Sequence, residues 1–224
     1  MDFSGETANS DAQSTQSSVL DNATPSVGSF QAMLDNAQVL FEADLSNPAM
    51  PGWEWWDETH SVVTTDSGTL IFNKEPSGGT QILSQYGLKK NEACLALFQY
   101  TGNSDLTFQA VSGNWWDSTW RVWGISGLGT EAFSQLEQIY NSASFGLKKI
   151  SEHWYYNLLW VKGETTFVTR VWDKDDPQVY KEKQLNMIDA SNWADGRVWN
   201  CHISVNSGLL EMGSYQELRF NQTP

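Results

Sequence analysis

The chain has 224 residues, 27 of them acidic and 13 basic, for a formal charge of −14 at pH 7. Such a field repels phosphate backbones and anionic headgroups, which argues against nucleic acid and membrane surfaces as partners, and no run approaches the ~18 consecutive apolar residues of a membrane span. Beside only 18% charged residues stand 12 Trp, 10 Phe and 7 Tyr, more large rings than one core of this size requires, so some are expected at a surface.

Residues 1–29 are rich in Ser, Thr, Asn, Gln and Asp, the composition of a disordered polar leader or linker, and the folded domain is expected over 30–224. A Met ahead of Asp2 and a polar tail fit a chain from which a secretion signal has been removed, so an extracellular or cell-surface location is expected. Val39–Leu45 reads as the first strand, ended by Asn47-Pro48 and Pro51-Gly52. Further strands are expected over Ser61–Thr65, Thr69–Asn73, Ala93–Tyr100, Leu106–Val111 and Trp120–Ile125. The glycines of the run Gly124-Ile125-Ser126-Gly127-Leu128-Gly129 lack a following Lys-Ser/Thr and read as a flexible turn rather than a phosphate cradle.

Thr130 followed by Glu131, Phe133, Leu136, Ile139 and Tyr140 has a capping residue and helical spacing, so a short helix is expected there, with a strand through Gln135–Asn141 as its competitor. Tyr155–Lys162, Gly163 and Thr165–Trp172 read as a hairpin turned by the glycine. In Val198–Val205 the alternation puts Trp199, Cys201, Ile203 and Val205 on one face and Asn200, His202 and Ser204 on the other, the pattern of a half-buried strand. The fold expected is therefore all-β: a jelly roll or two-sheet antiparallel β-sandwich with at most one or two short helices, and monomeric. Cys94 and Cys201 lie in apolar strand-like runs, where a long-range disulfide and a pair of buried thiols are both open.

The order of these features resembles a known group. A strand ending in Asn47-Pro48 leads to Gly52-Trp53; then come Asp66-Ser67-Gly68-Thr69-Leu70 and an extended run from Thr101-Gly102-Asn103-Ser104 to Trp123-Gly124. A hairpin from Trp154 to Gly163 precedes Phe167-Val168-Thr169-Arg170-Val171-Trp172. Over Val39 to Phe220 this resembles the concanavalin A-like jelly rolls, and more narrowly is similar to the laminin-G-like and 3-keto-disaccharide-hydrolase-like domains of secreted bacterial proteins. The resemblance implies fold more than activity. Members often close with Asp-Asp or Asp-Asn on the last strand, whereas this chain has Gly213-Ser214-Tyr215-Gln216-Glu217-Leu218, a departure from any calcium or catalytic site of that type.

For chemistry, the most specific feature is a repeated pattern. Trp55-Trp56-Asp57-Glu58-Thr59 recurs as Trp115-Trp116-Asp117-Ser118-Thr119, with Trp53 before the first and Trp120 after the second. Sugar faces carry polarised C–H groups that stack on indole, and their hydroxyls need carboxylate partners. Trp53, Trp55, Trp116 and Trp120 are therefore the candidate stacking surfaces, with Asp57 and Asp117 as hydroxyl acceptors; the alternative is that these rings fill the core.

Oxygen ligands for Ca²⁺ are offered by Asp173 and Asp175 in Asp173-Lys174-Asp175-Asp176-Pro177, and by Glu42 and Asp44 on the first strand, although a solvated charged turn is the commoner outcome of such a run and no cofactor is otherwise expected. The paired-acid spacing of glycosidases, Glu-x-Asp-x-x-Glu, is missing, and His60, His153 and His202 are isolated. The function expected is non-catalytic, lectin-like binding of a polysaccharide or glycan. Two alternatives stand beside it: a cell-envelope adhesion or protein-interaction domain, and a sugar-active hydrolase or lyase.

Overall fold

The computed structural model of the chain describes residues 27–55, 62–64, 67–73, 80–112, 121–126, 131–136, 139–144, 150–186 and 198–221. One helix, α1 (Val27–Asp35), precedes strands β1 (Gln38–Glu42), β2 (Trp53–Trp55), β3 (Val62–Thr64), β4 (Leu70–Asn73), β5 (Thr80–Leu88), β6 (Glu92–Ser112) and β7 (Arg121–Ser126). They are followed by β8 (Glu131–Leu136), β9 (Ile139–Ser144), β10 (Trp154–Val161), β11 (Thr166–Asp173), β12 (Tyr180–Asn186) and β13 (Trp199–Arg219).

The architecture turns on β6 and β13, each 21 residues long and paired antiparallel along their length. Straight strands of that length would span about 70 Å at ~3.4 Å per residue, far beyond a domain of this size, so each bends and serves two leaves. The first leaf runs β12-β11-β10, the first half of β6, the second half of β13, then β1. The second runs β9-β8-β7, the second half of β6, the first half of β13, then β5 and β2, while β4 and β3 pair on β13 at Leu209–Met212. Together the leaves make an antiparallel jelly-roll sandwich.

Register shifts at Val205/Ser207, Ser207/Leu209 and Met212/Ser214 bend β13 between its two leaves. A bulge inserts a residue and so changes which parity faces inward. Accordingly Cys201, Ile203 and Val205 enter the core from the first half of the strand, then Leu210 and Met212, then Tyr215. Between the leaves, Trp123 of β7 and Trp199 of β13 meet Phe167 of β11 at centroid distances of 4.7 and 5.2 Å.

A second apolar layer covers the outer face of the first leaf. Leu95, Leu158, Trp160, Val168, Trp172, Leu218 and Phe220 pack there with Phe30 of α1, joined by half-buried Met33 and Leu34. Phe30 sets its edge on Trp172 at 5.5 Å and lies under the Arg170 guanidinium at 3.8 Å, with Tyr180 over Arg170's other side at 4.0 Å. Arg170 itself pairs with Glu182 at 3.1 Å. Coverage on both faces explains why β10 and β11 read as nearly continuous apolar runs.

Several expectations change in the structure. The segment from Glu131 to Ser144 forms strands β8 and β9 rather than a helix, because antiparallel pairing onto β7 satisfies its backbone and outweighs local helical spacing. Gly124, Ile125 and Ser126 belong to strand β7, not to a flexible turn. The first strand stops at Glu42, and the helix begins at Val27, inside the stretch read as leader. Ala93–Tyr100 and Leu106–Val111 are parts of one strand. In the β10–β11 hairpin, Gly163 N–H donates to Thr166 C=O at the closing pair.

Candidate functional site

Of the residues proposed for sugar contact, Trp53 is corrected by the structure. It is 6% exposed, packed in the inter-leaf core at 4.6 Å from the Tyr215 ring. On β2 alternate residues face opposite ways, and pairing with Ser84 of β5 turns Trp53 inward, leaving Glu54 outward and exposed. Trp55 ends β2, while Asp57, Trp116, Asp117 and Trp120 lie outside the described residues.

Of the carboxylates considered for calcium, Asp44 and Asp173 accept hydrogen bonds within local turns and Glu42 accepts one across the β1–β13 pair. Asp44 Oδ1 accepts from the Ser46 backbone N–H and hydroxyl at 3.1 and 2.6 Å, and Glu42 Oε1 accepts from the Gln216 amide at 3.2 Å. Asp173 Oδ1 accepts from the backbone N–H groups of Asp175 and Asp176, and Oδ2 meets His153 Nδ1 at 3.2 Å. Burial raises the Asp173 pKa, but the Asp175 N–H, the His153 ring and the Asp176 N–H together outweigh it and hold the carboxyl below its ordinary range. Asp175 is exposed. Among the described residues no three His, Cys, Asp or Glu side chains converge as a metal site. Asp44 and Asp173 sit where a turn demands an acceptor, the same residue choice that a ligand set makes.

Two polar groupings emerge instead. On the second leaf, residues of β6, β7 and β13 that turn away from the inter-leaf core include Gln109, Val111, Val122, Gly124, His202 and Ser204. Gln109 and His202 stand opposite each other in the β6–β13 ladder, and the Gln109 amide Nε2 lies 2.6 Å from His202 Nδ1. Both are buried, at 5% and 1% exposed. Burial lowers the His202 pKa to about 4, so the ring is neutral at physiological pH; the amide donates to Nδ1 and the ring proton sits on Nε2. Opposite Gln109, Gly124 admits no side chain, since a Cβ there would lie 2.3 Å from the Phe108 carbonyl oxygen. The alternation read from sequence placed His202 with Asn200 and Ser204 on one face, as found; the strand is nonetheless buried on both faces at His202 and Ser204, not half-buried.

The second grouping is interior. Glu217 Oε1 accepts from the Ser84 hydroxyl at 2.6 Å and the Tyr215 hydroxyl at 2.7 Å, while Oε2 has no partner. Burial raises the Glu217 pKa to about 7 against the lowering effect of those two hydrogen bonds. Cys94 and Cys201 are free thiols beside Tyr215, within hydrogen-bond reach of one another. Burial pushes the Cys94 thiol and the Tyr215 hydroxyl well above their ordinary values. Sequence reading missed Glu217; the signal was an acid two places from Tyr215 on a strand whose inward parity only the bulge at Met212/Ser214 establishes. Sealed between the leaves, this carboxyl is a structural group.

No protein family and no curated protein matches the chain. Solved structures do. A non-specific endo-β-1,3(4)-glucanase from family GH16 matches at 8% identity and a TM-score of 0.57, covering 84% of this chain and 92% of that one. A laminarinase from Flavobacterium sp. matches at 11% identity and a TM-score of 0.56, over 81% of this chain and 100% of its own. An immunostimulatory antigen and pseudo β-1,3-glucanase of Mycobacterium tuberculosis matches at 8% and 0.57, over 81% and 98%. All three are of the glucanase kind rather than laminin-G-like or 3-keto-disaccharide-hydrolase-like domains. At such identities the likeness establishes the fold: this chain is a jelly roll of the architecture seen in GH16 β-glucanases.

Proposed function

We propose that the chain is an extracellular carbohydrate-binding domain that recognises a neutral glucan-type polysaccharide without cleaving it. The fold it shares with β-1,3-glucan-degrading proteins supports the ligand class. The observation that carries the non-catalytic part is the outer face of the second leaf. Glycoside hydrolysis needs two carboxyl groups about 5–10 Å apart astride the scissile bond. None of the described side chains Gln109, Val111, Val122, His202 and Ser204 that β6, β7 and β13 turn to that face is an acid, and Glu54, outward on β2 of the same leaf, is one carboxyl where two are needed. Trp116 and Trp120 supply the stacking faces in this reading, with Asp57 and Asp117 as hydroxyl acceptors.

The test is isothermal titration against laminarin and mixed-linkage β-glucan, with reducing ends measured in parallel. Saturable binding without new reducing ends is expected, and Trp116→Ala or Trp120→Ala should lose about 1–3 kcal/mol of affinity at unchanged melting temperature. Release of reducing ends would favour the hydrolase reading that the glucanase fold keeps open. Binding to neither polysaccharide would overturn both.

A further inference from the structure

On the opposite side of the molecule a groove of about 380 Å³ runs between α1 and the outer face of the first leaf, within the ~300–1,000 Å³ range of small-molecule sites. Its floor is aromatic and aliphatic: Tyr156, half-buried, stacks on Trp172 with ring centroids 5.2 Å apart and planes 25° apart, beside Leu218. Its rim is polar. Gln31 and Asp35, one helical turn apart on α1, are joined by a 2.8 Å hydrogen bond from amide to carboxylate, and Gln216 from β13 closes the other side, its amide held by Glu42.

A flat ring flanked by an amide pair and a carboxylate matches one chemistry closely, that of a pyranose. The sugar's C–H face meets the aromatic floor and its hydroxyls meet Gln31, Asp35 and Gln216. The two acids at or behind the rim, Asp35 and Glu42, disfavour an anionic sugar. We propose that this groove is a second saccharide subsite, independent of the glucan-binding face above, that accepts one or two neutral pyranose units against Tyr156.

The test uses the whole chain labelled with 5-fluorotryptophan, the Trp172 fluorine line being assigned by Trp172→Phe and the line of interior Trp199 serving as control. Laminaribiose, cellobiose and a glucuronate disaccharide are the probes. A neutral disaccharide should shift the Trp172 line saturably while Trp199 stays fixed, and the glucuronate should act more weakly. Tyr156→Ala should weaken the response about tenfold. Gln31→Leu, an exposed helix substitution that leaves the fold intact, should weaken it severalfold. An unmoved Trp172 line at millimolar disaccharide, or a response unchanged in Gln31→Leu and Tyr156→Ala, would overturn the subsite. Because polysaccharide retention by the other face is lost through Trp116→Ala and not through Gln31→Leu, the two readings fail separately.

Discussion

Glu217 and His202 are buried ionisable groups whose pKa values move in opposite senses. Burial raises the Glu217 carboxyl to about 7 and lowers the His202 imidazole to about 4. The folded state therefore binds Glu217's proton more tightly than the unfolded chain does, so that stabilisation is complete below the ordinary value of about 4.5 and is lost as pH rises to about 7. For His202 the folded state binds the proton less tightly; its contribution is complete above about 6.5 and is lost as pH falls to about 4. Each amounts to about 3 kcal/mol. Glu217→Gln should leave His202 unopposed, so that urea-unfolding stability climbs from pH 4 to 6.5. His202→Gln should show the reverse, a fall from pH 4.5 to 7. Parallel profiles for both variants and the parent would contradict these environments. Trp53 belongs to the same scale: Trp53→Ala is expected to cost about 3–5 kcal/mol of stability, measured by denaturant, while the folded protein's affinity for laminarin stays the same.

At the scale of elements, β7 and α1 carry the sharpest expectations. A Cβ at Gly124 would meet the Phe108 carbonyl oxygen at 2.3 Å and Gln109 Cα at 2.6 Å. Backbone cannot yield as a flexible side chain can, so Gly124→Ala should push β7 from β6 and lower stability by about 2–3 kcal/mol, with amide exchange accelerated first in β7 to β9. Phe30 is the one fully buried side chain described on α1, 4% exposed between Trp172 and Arg170, with half-buried Met33 and Leu34 beside it. Phe30→Ala should cost about 3 kcal/mol and open residues 27–35 to exchange before the strands. Nine residues with no acid in the first turn and no base in the last lack the length and dipole partners to persist alone, so docking and helicity are expected to be lost together.

Taken as a whole, the molecule should show a flat stability profile between about pH 4.5 and 6.5 as far as Glu217 and His202 set it, since their slopes cancel there. Much of the architecture was legible in the chain because alternation is local. The inward set Trp199, Cys201, Ile203 and Val205, the Tyr155–Trp172 hairpin and the all-β class follow from residues two apart sharing a face. Strands β5 and β12 escaped that reading: Thr80–Leu88 and Tyr180–Asn186 are polar-rich and gain their order from antiparallel pairing, β5 with β13 far away in sequence and β12 with the preceding strand β11. The candidate site was legible only as composition. An aromatic surplus says that some rings face out, but whether Trp53 is among them depends on its pairing with Ser84 across 31 residues. Sequence alone determined which positions alternate, hence the number of apolar faces to be buried. The tertiary structure decided which face meets which leaf, because the bulges of β13 reverse inward parity and the docking of α1 covers an otherwise outer face, and both are long-range choices that no local period encodes.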